Sequence, residues 1–65
     1  MTTIFLTAER KMIHTFDNGV KITTDFNFKV SYVEKGEKST SFSIEGLEIE
    51  DYMKTIKAYG TNSNN

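Results

Sequence analysis

With 65 residues, no cysteine and one histidine, the chain has room for a single thin core that neither disulfides nor a structural zinc site can reinforce. Eight Lys and Arg against nine Asp and Glu leave a net charge of −1, which excludes both the basic footprint of a dedicated DNA binder and an acidic DNA mimic. What remains for stabilising so small a domain is close packing or a partner subunit.

No apolar run is long enough for a membrane span, and "TTIFLTA" is too short and lacks the basic flank of a signal peptide, so a cytoplasmic location is expected. One domain over residues 1–60 is expected, followed by a disordered polar tail at 61–65, since "GTNSNN" has nothing to bury.

The first element is read backwards from a turn. In "FDNG", a three-residue loop Asp17-Asn18-Gly19 with Gly19 at the left-handed position predicts a hairpin that pairs Phe16 with Val20, His14 with Ile22 and Met12 with Thr24. A two-residue Asn-Gly turn would shift the register by one and bring Ile13 and Thr15 to the apolar face instead. The longer loop is preferred because it keeps Met12 and Phe16 inside. Extending that register places Leu6 opposite Val30 and Ile4 opposite Tyr32, so the first strand is expected to run from about Thr3 to Phe16, with a bulge near "AER". A helical turn started by Thr7 before "AERKM" is the alternative.

The second strand is expected to be continuous. Val20, Ile22, Phe26, Phe28, Val30 and Tyr32 share one parity, and Lys21, Thr23, Asp25, Asn27, Lys29 and Ser31 the other, the pattern of a half-buried strand. "EKGEK" then makes a charged turn about Gly36, and "STSFSIE" supplies a third antiparallel strand with Phe42 and Ile44 inward.

In the last segment the period changes. Ile49, Tyr52, Met53 and Ile56 form a helical stripe, acidic residues crowd the first turn, and Gly60 suits the position just past the helix end, which predicts a helix from about Glu48 to Tyr59. The expected fold class is therefore α+β: a three-stranded antiparallel meander in order 1-2-3 with one C-terminal helix on one face, β-β-β-α, and a long protruding hairpin between the first two strands.

A function follows from lengths. A strand of about 14 residues spans roughly 45 Å, and a helix of about 12 covers only about 18 Å. The hairpin arm, carrying Met12, His14, Phe16, Val20 and Ile22, is left without cover, and contiguous apolar surface marks a contact site. The expectation is a small non-enzymatic protein–protein interaction module, homodimeric through that arm. The alternative is a phage-type inhibitor, monomeric alone, that presents the same arm to a host protein; a weak single-stranded nucleic-acid binder comes third.

Chemistry is sparse. His14 has no nucleophile beside it and reads as a strand or interface histidine, with a pH-sensitive contact as its functional counterpart. Glu45, Glu48, Glu50 and Asp51 lack the alternating spacing of a calcium loop and are explained by the helix dipole. Phe26, Phe28, Tyr32 and Phe42 are expected on the face opposite Lys21 and Lys29, which argues against a base-stacking platform. No glycine belongs to a phosphate loop; no metal, cofactor or catalytic residue is expected.

Overall fold

The computed structural model describes residues 1–61; of the tail expected at 61–65, Thr61 is helical and 62–65 lie outside the described residues. It is a five-stranded antiparallel sheet in sequential order, β1 (Thr2–Leu6), β2 (Lys11–Thr15), β3 (Lys21–Asp25), β4 (Val30–Lys35) and β5 (Lys38–Ser43), with one helix, α1 (Ile49–Thr61), on one face. The α+β meander is as expected, and the number of strands is not: five replace three because each of the two long strands is broken once.

The breaks lie side by side at one end of the sheet and hold each other. After β1 a single 3-10 turn at Thr7–Glu9 closes with the Arg10 amide donating to the Thr7 carbonyl at 3.2 Å, and Arg10 adopts φ 56°. After β3 the Asp25 carboxylate accepts from the amides of Asn27 and Phe28 at 2.8 and 3.3 Å, and Lys29 reaches φ 56°. The Phe26 amide donates to the Arg10 carbonyl at 3.0 Å, tying one turn to the other. A side-chain oxygen that offers a turn to the backbone competes directly with continuation of the ladder.

Each break reverses the parity of what lies beyond it. Ser31 and Val33 are buried, whereas Val30 and Tyr32, expected inside, point to the other face with Ile4 and Leu6. Phe28, also expected inside, sits in the turn and is 79% exposed.

The hairpin register itself is the three-residue one: His14 lies opposite Ile22, Met12 opposite Thr24, and the Phe16 amide donates to Val20. Its tip does not protrude. The molecule measures 29 × 22 × 19 Å, and strands of five or six residues, about 17–20 Å long, match a helix of about 20 Å.

The helix runs past the expected end at Tyr59, so Gly60 is a helical residue rather than the one following it. Its bare Cα lets the Phe16 ring lie against the helix, and a Cβ there would overlap three atoms of that ring. Asn18 completes the clamp, its Nδ2 donating to the Gly60 carbonyl at 2.7 Å while its Oδ1 accepts from Val20 at 3.1 Å. Tyr52, Ile56 and Gly60, spaced i, i+4, i+8, form the buried stripe; Ile49, expected in it, is exposed. The core consists of Val20, Ile22, Val33, Ile44, Tyr52 and Ile56, with Met12, Phe16, Phe26, Phe42 and Met53 around it.

Candidate interaction surface

The five residues expected at an intermolecular contact all lie on the helix side of the sheet. His14, Val20 and Ile22 are fully buried, and Met12 and Phe16 pack against the core. The surface that suggested association through the arm is thus occupied by the chain's own helix.

Beneath that helix runs a connected line of polar side chains. His14 Nδ1 is 3.0 Å from Thr3 Oγ1, and His14 Nε2 is 2.8 Å from the Tyr52 hydroxyl. Tyr52 lies 2.7 Å from Thr24 Oγ1, which lies 2.8 Å from Ser31 Oγ. One direction of donation satisfies every link: Ser31 to Thr24, Thr24 to Tyr52, Tyr52 to Nε2, and Nδ1–H to Thr3. The reverse direction serves equally. No buried side-chain nitrogen or oxygen among the described residues lacks a partner. Such a line, buried from His14 to Ser31, reaching the surface only at Thr3 and fully paired, favours one packing of helix on sheet over its alternatives.

Burial holds the His14 pKa below its ordinary 6.5, and burial raises that of Tyr52 above 10.0 against an opposing hydrogen bond from Thr24. As pH falls through 6.5 the unfolded chain takes up a proton that folded His14 refuses, so stability declines. As pH rises past 10.0 the unfolded tyrosine ionises first, and stability declines again. Melting temperature should therefore be level from about pH 7.5 to 9 and fall between about pH 6.5 and 5, before most carboxylates titrate. His14→Asn should remove the acid-side decline in thermal melts; an unchanged slope would mean that His14 is not its source.

The opposite face of the sheet has no covering layer among the described residues. Its central row, read across the strands, is Ile4, Ile13, Thr23, Tyr32 and Ser41. One flanking row is Leu6, Lys11, Asp25, Val30 and Ser43; the other is Thr2, Thr15, Lys21, Glu34 and Ser39. A solvated face of an antiparallel sheet is ordinarily polar at alternate positions. Here five of those positions are Ile4, Leu6, Ile13, Val30 and Tyr32, and Ile4 and Tyr32 are 52% and 48% exposed. Lys11 lies opposite Asp25 and Lys21 opposite Glu34, so the charges are balanced between neighbouring strands.

Two open hollows flank the helix. One, of about 380 Å³, has Lys35 and Lys38 beside Val33, Ala58 and Tyr59; the other, of about 370 Å³, has Arg10 and Lys29 beside Phe26 and Ile44. Lys38, Arg10 and Lys29 are exposed and Lys35 half-buried, and no hydrogen bond or ion pair among the described residues fixes any of these cationic groups, which is less than a positioned ligand site requires. No group of three or more His, Cys, Asp or Glu among the described residues is placed to hold an ion, and no helix among them is long and apolar enough to cross a membrane.

Sequence reasoning missed the open-face row because it carried parity through both breaks. The signal was Asp25-Phe26-Asn27, a side-chain-capped turn without glycine or proline. No protein-family model, curated protein or solved structure matches the chain.

Proposed function

We propose that the chain is a small non-enzymatic protein–protein interaction module, working in the cytoplasm, whose contact surface is the open face of the sheet. The observation that carries this reading is the row Ile4–Ile13–Tyr32, flanked by Leu6 and Val30, on the side that the helix does not cover. The fold's own core does not need these side chains, and apolar groups that remain in water after folding are stabilised by a partner. A non-enzymatic role accords with the chemistry of the one imidazole: its ring is fully buried and both of its nitrogens are engaged by hydroxyl groups.

Both a second copy and a foreign protein fit this general reading, the second being the phage-type inhibitor alternative. Single-stranded nucleic acid fits less well. Tyr32 does share the open face with Lys11 and Lys21, but Asp25 and Glu34 stand opposite those lysines, and one aromatic makes a poor stacking platform.

A photoreactive phenylalanine analogue at position 32, with the same group at Lys54 on the exposed side of the helix as reference, tests the proposal in cells. Discrete crosslinked protein bands from position 32, absent from position 54, are expected. Equal, diffuse labelling from both sites would overturn the reading.

A further inference from the structure

We propose that the occupant of the open face is a second copy of this chain, related by a two-fold axis that runs across the strands along the Ile4–Ile13–Thr23–Tyr32–Ser41 row. This rests on the reading of that face as a contact surface and adds its partner and their orientation.

Size is the first argument. Five strands about 4.8 Å apart and five residues long at about 3.4 Å each make a face of ~400 Å² in flat projection. Over two copies that is ~800 Å² in projection, which side-chain relief raises toward the ~1,000 Å² total at the low end of specific interfaces. Two such faces stack as paired sheets do, about 10 Å apart, giving four layers with the helices outermost.

Charge selects the orientation. Lys21 and Asp25 stand on the central strand, one in each row beside the axis. A two-fold axis parallel to β3 would set Lys21 over Lys21 and Asp25 over Asp25, like charges in a layer that is losing its water. With the axis across the strands, β3 lies antiparallel over its mate, and Lys21 meets the partner's Asp25 twice. Ile13 then meets Ile13 and Tyr32 meets Tyr32, a self-complementary contact that closes on itself rather than running on from copy to copy. Only one Asp25 oxygen is engaged by the turn amides, so the other is left for the incoming lysine.

Sedimentation equilibrium of the full chain from micromolar to millimolar concentration tests this. Twice the 7.4 kDa chain mass is expected for the wild type. Lys21→Glu should weaken the dimer at least ~tenfold, as should Asp25→Asn, which keeps the turn acceptor but drops the charge. Ser41→Cys, in a chain with no other cysteine, should be joined to its mate by a short bismaleimide, because the axis sets Ser41 over Ser41; a thermal melt of each variant shows that it is folded. A dimer that this reagent does not join, or one indifferent to both single changes, overturns the orientation. A monomeric wild type that is still crosslinked at position 32 to another protein overturns self-association and leaves the contact surface standing. A monomer with no such crosslink removes both.

Discussion

Tyr52→Ala should leave most molecules unfolded at 25 °C, while Tyr52→Phe should fold with a loss of about 1–3 kcal/mol. The ring is 2% exposed and packs against Phe26 at a centroid distance of 5.8 Å and His14 at 5.9 Å, joining the helix to β2 and to the β3–β4 turn. Truncating a buried aromatic to alanine removes about 3–5 kcal/mol. The hydroxyl lies between His14 Nε2 and Thr24 Oγ1, so its loss also interrupts the polar line and leaves buried groups short of a partner. A domain of this size has a total stability of only about 3–10 kcal/mol, and the sum of these losses consumes most of that range. Urea denaturation followed by far-ultraviolet circular dichroism distinguishes the two variants. A cooperative, near-native transition in Tyr52→Ala would mean that the tyrosine is not what joins helix to sheet.

Elements marked by a strong local signal were legible in the sequence. Asp17-Asn18-Gly19 specified its own loop because Gly19, at φ 93°, takes a conformation that side chains resist, and the register of β2 against β3 followed. The acidic first turn and the i, i+4 spacing placed the helix to within a residue or two. The first break was legible only as the alternative, a helical turn begun at Thr7, and the second not at all, for one physical reason: residues with side chains, Arg10 and Lys29, occupy the left-handed positions, so the usual punctuation of glycine or proline is missing. Alternation of apolar residues then ran on through Asp25-Phe26-Asn27, where the chain in fact doubles back. Gly60 misled in the opposite sense. Glycine is favoured after a helix, but here it lies within one, because the distant Phe16 needs the space. Unbroken parity therefore puts four of the five open-face hydrophobics, Ile4, Leu6, Val30 and Tyr32, in the core, and the contact surface on the face that the helix covers.

That reversal makes Ile22 and Ile13 a sharp pair of sites, since the strands that carry them are hydrogen-bonded neighbours whose side chains go to opposite faces. Ile22→Asp is expected to abolish folding. Ile22 is fully buried in the central strand, among Val20, Val33 and Ile56, and its removal forfeits about 2–5 kcal/mol of packing before the carboxylate is counted. The side chain directly opposite on β2 is His14, whose nitrogens are engaged by Thr3 and Tyr52, so the new acid must stay protonated at a cost, break that network or draw water into the interior. Ile13→Asp, by contrast, changes a half-buried position on the open face, and a loss of no more than about 1 kcal/mol is expected from strand propensity and cross-strand packing. Its effect should fall on association, since Ile13 lies on the proposed axis. On an uncovered arm the outcomes would be reversed in kind, with Ile22→Asp folded and merely monomeric. Circular dichroism and sedimentation of the two variants side by side decide the matter: a folded Ile22→Asp would mean that the inner and outer rows have been exchanged, and with them the surface this small domain has available for a partner.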